Sequence, residues 1–390
     1  MTVLTVITTH ETGTAVSRTV CEGDLMAATT GRFPVSWTTA TPVVAIVVLA
    51  LSWGRDLGPV PVAVVALALG ATVLAAVHHA EVVAHRVGEP FGSLVLAIAV
   101  TVIEVALIVT MMSSGGPEAG TLARDTVFAA VMITMNGITG ISLMVGARRY
   151  GATHFNPEGS GGALATVATL ASVTLVLPTF TFSTPGPAFS STQLTFAAIA
   201  SLLLYGLFVL TQTVRHRDFF LPVDNDGAVK EEEHAEPPTN KAALTSLGLL
   251  LVALVAVVGL AKVESPAIEA GVRAAGFPQS FVGVVIALLV LLPETLAATR
   301  AARRDRMQTS LNLAYGSAIA SIGLTIPTIA LASIWLDGPL LLGLGATHIV
   351  LLALTIAVSV LTVVPGRATR LQGGVHLVLL ASFLVLAVNP

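Results

Sequence analysis

The 390-residue sequence carries little charge: Asp, Glu, Lys and Arg make up 11% of it, against about 25% in soluble domains. Hydrophobic residues make up 54%, and the mean hydropathy is +0.88. A soluble core could not enclose this much apolar surface, so we expect the excess to face lipid. The low charge therefore excludes an ordinary soluble protein.

Cysteine and excess positive charge are also missing. Cys21 is the only cysteine, which excludes an internal disulfide and a cysteine-based metal cage. The formal net charge is -3, so the chain lacks a basic surface for nucleic acid. Residues 1–33 have no basic segment leading into an apolar one, which predicts a cytoplasmic tail rather than a cleaved signal peptide. No resident cofactor is predicted.

Apolar segments, in contrast, are abundant. A helix needs about 20 apolar residues to cross a bilayer, and the Ala, Val, Leu and Gly content of these segments favours helices. We therefore expect an all-α polytopic membrane protein with about 11 transmembrane helices. The predicted spans are 34–53, 59–79, 91–113, 124–146, 161–181, 193–214, 242–261, 277–297, 311–334, 339–362 and 371–389.

The basic residues predict how these spans are oriented. Of the 19 Lys and Arg residues, only Arg55, Arg124, Lys262 and Arg273 fall on one side of the membrane, and the others fall on the opposite side. The side rich in Lys and Arg is the cytoplasmic one under the positive-inside rule. We therefore expect a multi-pass protein of the cytoplasmic (inner) membrane, with a cytoplasmic N-terminus and an external C-terminus.

The longest loop, 215–241, is acidic and divides the spans into two groups of five. The groups are 59–214 and 242–389, and the span at 34–53 remains as an extra N-terminal helix. Two five-helix units joined after an odd number of crossings have opposite orientations, which is the arrangement of inverted-repeat transporters. We interpret the acidic run itself as a solvated cytoplasmic linker rather than a sensor.

Two acidic residues lie near the middle of predicted spans: Glu104 and Glu294. An ionised side chain at the bilayer centre costs about 2.5–3.5 kcal/mol on insertion scales, so a function is the default interpretation. The alternative is a pair of protonated, hydrogen-bonded structural acids. A shift of 190 residues superimposes the two segments, whereas the preceding Gly-x-Pro elements at 88–90 and 276–278 are two residues out of step. An inverted repeat would bring both acids to one cavity at the midplane.

Neutral oxygens near these acids complete a candidate cation site. Pro293 lacks an N–H and so frees the carbonyl of Leu289, as in the interrupted helices that line polar cavities. The third span of each half carries small polar residues at helical spacing, and aligning the two spans places Ser317 opposite Asn136. Such residues also pack membrane helices together, which stays open as their alternative role. The candidate metal ligands are Glu104, Glu294, Asn136, Ser317, Thr101, Leu289 and Ser321.

The type of ligand favours Ca²⁺. This ion prefers six to eight hard oxygen ligands, and the spans contain no Cys/His cluster for a softer metal. The same two glutamates can bind protons, so metal and protons compete for one site, and either load neutralises it. Obligatory exchange follows as a hypothesis.

The histidines of the second span have another candidate role. His78, His79 and His85 cluster with Glu81 at the predicted cytoplasmic mouth of the site. They could guide ions or respond to protons, or they could form a solvated interfacial turn. His348 and His376 each stand alone in later spans, and we interpret them as packing residues.

The segments GEPFGSLVLAIAVTVIEV (88–105) and LPETLAATRAARRDRMQTSLNLAYGSAIASIGLTIP (292–327) resemble the ChaA-type sodium–potassium/proton antiporters. These form a bacterial branch of the cation/Ca²⁺ exchanger superfamily, which also contains the Ca²⁺/H⁺ antiporters. The resemblance implies ten core helices in two inverted halves, an extra N-terminal helix and an acidic cytoplasmic loop. It also implies that Glu104 and Glu294 bind ion and proton alternately. Vacuolar-type members have Gly-Asn-x-x-Glu before the key acid, whereas this chain reads VTVIE and LLPE, which leaves the choice of ion open.

The sequence therefore leaves four candidate functions. The first is a Ca²⁺/H⁺ antiporter that extrudes cytoplasmic Ca²⁺, and the second is a Na⁺/H⁺ or K⁺/H⁺ antiporter of the same fold. An intramembrane protease with paired acids lacks a second catalytic signature. A passive channel would not need titratable acids at the midplane. The expected partners are the transported cation, protons and the lipid bilayer.

Overall fold

The computed structural model describes residues 36–88, 91–113, 119–223, 237–335 and 339–389. The predicted tail 1–33, residues Glu89 and Pro90, and the acidic run 224–236 lie outside the described residues. From Thr38 onwards the described residues form one compact unit.

Eleven apolar helices make up the described part of the chain, and they confirm the predicted all-α membrane fold. Ten are long and apolar enough to cross a membrane, and the first is shorter, with 16 residues. The helices are α1 (Trp37–Ser52), α2 (Pro59–Val87), α3 (Phe91–Ser113), α4 (Leu122–Tyr150), α5 (Pro157–Phe180), α6 (Ser191–Arg215), α7 (Asn240–Ala274), α8 (Phe281–Arg303), α9 (Met307–Ala332), α10 (Ala346–Val363) and α11 (Arg370–Val388). Two short strands, β1 (Thr153–His154) and β2 (Arg367–Ala368), pair antiparallel between helices.

Three helix boundaries differ from the predicted spans by seven residues or more. Helices α2 and α7 run on to Val87 and Ala274, because helical hydrogen bonding continues after the apolar window ends. Helix α10 begins at Ala346 and not at 339. The segment before it is extended instead, since the Gly343 and Leu344 N–H groups donate to Pro187 and Leu175 carbonyls on another part of the chain.

Helix α8 continues through Pro293 from Phe281 to Arg303, so the predicted interruption at this proline is wrong at the level of secondary structure. Proline removes one N–H from the helix ladder, and the bonds on either side hold the helix together. The departures from α-helical geometry lie elsewhere, in π-helical turns at Ile133–Ile138 of α4, Ser172–Val176 of α5 and Thr211–Arg215 of α6. Such turns are frequent at functional sites.

Equivalent helices of the two five-helix groups make equivalent contacts with the other group. Helix α4 packs against α8 and α11, while its counterpart α9 packs against α3 and α6. Likewise α2 packs against α3 and α7 against α8, and the pairs α2–α7, α3–α8 and α5–α10 also pack together. This is the contact pattern that a pseudo-two-fold relation between the halves produces. It places α3, α4, α8 and α9 at the centre of the bundle.

Helix α4 is the most enclosed of the spans, with 89% of its apolar window buried. The close approach of α8 to it requires a glycine: a Cβ at Gly283 would lie 2.8 Å from the Thr126 nitrogen. The two ends of the bundle differ in charge. Exposed arginines mark one end, hereafter the arginine-rich end: Arg148, Arg149, Arg303, Arg304, Arg306, Arg367 and Arg370.

Candidate functional site

Glu104 lies on α3 and is buried, with 2% of its surface exposed. Its Oε2 accepts hydrogen bonds from Ser321 Oγ (3.0 Å) and Thr325 Oγ1 (3.1 Å), both on α9. Its Oε1 is buried and has no hydrogen-bond partner among the described residues. One oxygen of this carboxyl is thus held in place, and the other is free for a proton or a cation.

Glu294 lies on α8 and lines a cavity of about 230 Å³ between α3, α6, α8 and α9. Its Oε2 is buried without a described hydrogen-bond partner. The cavity extends to Gln212 near the end of α6 and to Thr309 near the start of α9, both at the arginine-rich end. Glu294 therefore lies at the inner end of a path from that side of the bundle.

A single face of α9 connects the two glutamates. Ser317, Ser321 and Thr325 are spaced by four residues, so they lie on one side of the helix. Ser317 lines the Glu294 cavity, while the other two donate to Glu104. The carboxyl groups of Glu104 and Glu294 are also within the range of an electrostatic interaction. The structure thus places Glu104, Glu294, Ser317 and Ser321 around one face of α9.

The depth of each acid in the bundle can be estimated from the residue of α2 that lies at the same level. Gly92 of α3 packs on Ala84, and Leu289 of α8 lies against Gly70. Helix α3 runs antiparallel to α2, and Glu104 is 12 residues beyond Gly92, so it lies level with position 72 of α2. Helix α8 runs parallel to α2, and Glu294 is five residues beyond Leu289, so it lies level with position 75. At 1.5 Å per residue the two acids differ in depth by about 4.5 Å. They therefore lie near the same plane.

Two other predicted ligands have weaker geometric support. Thr101 is buried on α3, one turn before Glu104, and no described hydrogen bond joins its hydroxyl to either acid. Leu289 packs its side chain toward Gly70, one turn before Pro293. Its carbonyl lacks a helical partner because proline has no N–H.

Glu81 is the half-buried member of the cytoplasmic cluster predicted from sequence. Electrostatic interactions link its carboxyl to His78, His85 and Arg300, and also to Glu294. His78 and His85 are exposed. His79 is different: it is buried, and its ring nitrogens contact Ser246 Oγ at 3.2 Å and the Thr38 carbonyl at 3.0 Å. These contacts make His79 a packing residue between α1, α2 and α7.

The described hydrogen bonds of Asn136 are made with residues other than the two acids. It belongs to the π-helical turn of α4, where its Nδ2 donates to Thr355 Oγ1 (2.9 Å) and its Oδ1 contacts His376 Nδ1 (3.1 Å). His376 Nε2 in turn contacts Thr362 Oγ1 at 3.2 Å. Both amide groups of Asn136 are therefore engaged with α10 and α11 in this conformation, and His376 is a satisfied packing residue as predicted.

We expect Asn136→Ala to destabilise the fold more than it weakens cation binding. The substitution removes one hydrogen-bond partner from the Thr355 hydroxyl and one from the His376 ring, at a cost of about 1–3 kcal/mol each. Thermal unfolding in detergent should show the loss. Ser142→Ala is the control on the same helix, because the Ser142 hydroxyl is buried without a described partner. A tenfold weaker cation response at unchanged stability would instead make Asn136 a ligand.

Thr325 and Glu264 are buried polar residues outside the predicted set of ligands. Thr325 follows Ser321 at helical spacing, and its bond to Glu104 makes it a better-supported site residue than Thr101.

Glu264 is a buried acid in the last turns of α7, beyond the span predicted for that segment. Within the described ranges, no group of three His, Cys, Asp or Glu side chains could hold a metal. A cation at this site would depend on two carboxylates and neutral oxygens.

Comparison with known proteins identifies the family. The family model described as sodium/calcium exchanger protein matches residues 57–214 and 245–389. The "Putative ionic transporter y4hA" of Sinorhizobium fredii (strain NBRC 101917 / NGR234) is 43% identical over 357 residues, covering 91% of this chain and 96% of that protein. The "Sodium-potassium/proton antiporter ChaA" of Escherichia coli (strain K12) is 34% identical over 347 residues, covering 88% and 94%.

Solved structures share the fold. The structure of native YfkE aligns with a TM-score of 0.67 at 16% identity, covering 91% of this chain and 99% of that one. The crystal structure of the H⁺/Ca²⁺ exchanger CAX aligns with a TM-score of 0.65 at 18% identity, covering 89% and 86%. The family match to both halves, together with the relative at 34% identity, leads to one conclusion: the chain belongs to the sodium/calcium exchanger family and is an antiporter rather than an enzyme.

Proposed function

We propose that the protein exchanges cytoplasmic Ca²⁺ for external H⁺ by alternating access at Glu104 and Glu294. The observation that carries this proposal is the pair of buried carboxylates at nearly one depth, each with an oxygen that has no described partner. Buried carboxylates without cations are costly unless they are protonated or hold a metal. The site therefore has two favourable loads, which is the requirement for exchange.

The neutral oxygens on α9 support a hard cation. Ser317, Ser321 and Thr325 face the two acids, and Ca²⁺ prefers oxygen ligands from carboxylates, hydroxyls, carbonyls and water. Two carboxylates neutralise the double charge of Ca²⁺, just as two protons neutralise the empty site. A site that holds neither metal nor protons carries two negative charges, so the protein would change poorly between its two access states. This charge balance couples the two fluxes.

The layout that we propose has two inverted halves, 59–214 and 242–389, with the helix at 34–53 as an extra element and 215–241 as a cytoplasmic loop. Reciprocal helix packing supports the two halves. The arginine-rich end is the cytoplasmic one under the positive-inside rule, in the inner membrane. The cavity beside Glu294 then faces the cytoplasm, so the structure has the arrangement expected of the inward-open state.

Exchange of Na⁺ or K⁺ for H⁺ is the second candidate. It is favoured by the 34% identity to a protein named a sodium–potassium/proton antiporter. The site also lacks a third acid among the described residues, and a monovalent ion needs less negative charge than Ca²⁺. Both candidates use the same two glutamates.

Everted membrane vesicles distinguish the two candidates. Respiration acidifies the lumen, and we expect Ca²⁺ added outside to release part of the proton gradient, read with a pH-sensitive dye. The reason is that Ca²⁺ enters at the exposed cytoplasmic face while protons leave the lumen. Vesicles from cells without the protein are the control. A response to Na⁺ or K⁺ alone would favour the second candidate, and Ca²⁺ flux that ignores the proton gradient would favour a channel.

A further inference from the structure

Glu264 is a buried acid that the two-glutamate site does not use. It lies on α7 with 4% of its surface exposed, and its Oε2 has no hydrogen-bond partner among the described residues. It follows Val257 and Leu260 along one face of α7, in a stripe that packs into the cluster shared with α2 and α3. Burying a carboxyl among apolar side chains costs free energy of folding, so this acid lowers the stability of the fold.

Among the residues that the structure describes, no Lys, Arg or His forms an ion pair with this acid. The ion pair found within the described ranges joins Arg124 to Asp125 on α4. On α7 itself, Lys262 lies over the Trp53 ring instead. The remaining charges among the described residues at this end of the bundle are the half-buried Glu269, the exposed Arg273, and the exposed pair Arg55 and Asp56 after α1.

The helices around Glu264 contribute no titratable group at its depth. The first titratable residue along α2 is His78, the only one on α3 is Glu104, and the first on α8 is Glu294. Helix α1 has none. The carboxyl of Glu264 therefore has no described neighbour with which to share a proton or a charge.

The depth of Glu264 follows from the register of α2 and α7. Arg86 Nε donates to Asn240 Oδ1 at 2.6 Å, and His79 contacts Ser246, so the two helices run antiparallel with these positions level. Glu264 is 18 residues beyond Ser246 along α7, level with Pro61 of α2. Glu104 is level with position 72, which puts Glu264 about 16 Å farther from the arginine-rich end.

Apolar side chains fill the space between Glu104 and Glu264. Leu107 and Met111 of α3, Val65 of α2 and Leu260 of α7 belong to one buried cluster at these depths. Glu294, in contrast, lines a cavity that extends to the arginine-rich end. The pathway on the Glu264 side is thus closed in this conformation, and its acid lies at the outer limit of the closed region.

We infer that Glu264 is a proton-binding group of the pathway on the external side, which takes up a proton from outside before it reaches Glu104. A carboxyl at the outer end of this closed segment can hold a proton from outside until the segment opens toward Glu104. The inference rests on the proposed antiport function and adds a third acid to it. Glu264 lies about 16 Å from the depth of Glu104, so it is not part of the two-glutamate site in this conformation.

The test varies the proton concentration on one side only. Everted vesicles are preloaded with buffers of different pH, and initial uptake of radioactive Ca²⁺, with Na⁺ in parallel, is measured at fixed outer pH. For Glu264→Gln we expect half-maximal uptake to need a lumen that is about tenfold richer in protons, or one pH unit more acidic. The outer cation concentration for half-maximal uptake should not change. Glu269→Gln, on the same helix, is the control.

Each outcome decides the inference. An unchanged dependence on lumenal pH would overturn it, and so would an equal loss of rate at every lumenal pH, which indicates a structural role. If the glutamine variant does not reach the membrane, Glu264→Asp takes its place, because it keeps the acid but withdraws it by one methylene. A shifted curve supports the role, and an unshifted curve rejects it. Absence of exchange in the unaltered protein would reject the proposed function instead.

Discussion

Replacing either Glu104 or Glu294 with glutamine is expected to reduce cation-driven proton release to the background of vesicles that lack the protein. Removing one partner of a buried charge interaction costs about 3–5 kcal/mol, which corresponds to a loss of affinity of about 100-fold or more. The amide also cannot exchange a proton at physiological pH. Both loads of the site are lost together, so the effect on transport exceeds the effect on cation binding alone.

The glutamine variants are well suited to separate function from folding. Each substitution removes a buried carboxyl whose unpartnered oxygen needs no protein donor, so the fold should tolerate the amide. Membrane levels and thermal stability in detergent should therefore stay within the range of the unaltered protein. Glu158→Gln, at an exposed position in the first turn of α5, is the matched control. Normal exchange by either variant would show that the pair does not form the site.

Glu104 and Glu294 could be predicted from sequence because charge is rare inside apolar spans. Their surroundings were predictable only in part. The spacing of Ser317 and Ser321 placed them on one face of α9, and the structure shows that face turned toward both acids. Helical periodicity is local information, and it suffices when the neighbouring helix lies where an inverted repeat places it.

The contacts of Asn136 could not be predicted in the same way. Its partner His376 is 240 residues away in the chain, and the contact depends on how α4 packs against α11. Repeat alignment placed Asn136 opposite Ser317, but the π-helical turn Ile133–Ile138 has no counterpart in α9. A local change of helical pitch rotates the side chains that follow it, so equivalent positions of the halves face different neighbours.

Glu264 shows a different limit of sequence reasoning. The apolar window ends at 261, whereas α7 continues to Ala274. Hydropathy therefore puts Glu264 outside the membrane span, but the structure buries it within the helix. Hydropathy marks where residues are apolar, and helical hydrogen bonding does not stop there. A buried acid in the polar end of a long helix gives no signal in a hydropathy profile.

The second large effect is expected from closing the cavity beside Glu294. Gly316 of α9 lines this cavity, and a Cβ added there would meet no atom within 4 Å. Gly316→Phe should therefore fold normally while its ring occupies much of the 230 Å³ and displaces the water that a cation needs for access. We expect at least about a tenfold fall in initial uptake, equivalent to about 1.4 kcal/mol in the access step.

The matched control for the blocked cavity is Gly206→Phe on α6, a site that is exposed on the bundle surface and also has no atom within 4 Å of an added Cβ. It adds the same side chain toward lipid, so uptake should be normal. A cysteine at position 316, in a Cys21→Ser background, adds a direct measure of access. A membrane-impermeant thiol reagent should modify it in everted vesicles and not in right-side-out vesicles, and Ca²⁺ should slow the reaction. Normal uptake by Gly316→Phe, or equal modification from both sides, would show that cations reach Glu294 by another route, and the inward-open assignment of this conformation would have to be abandoned.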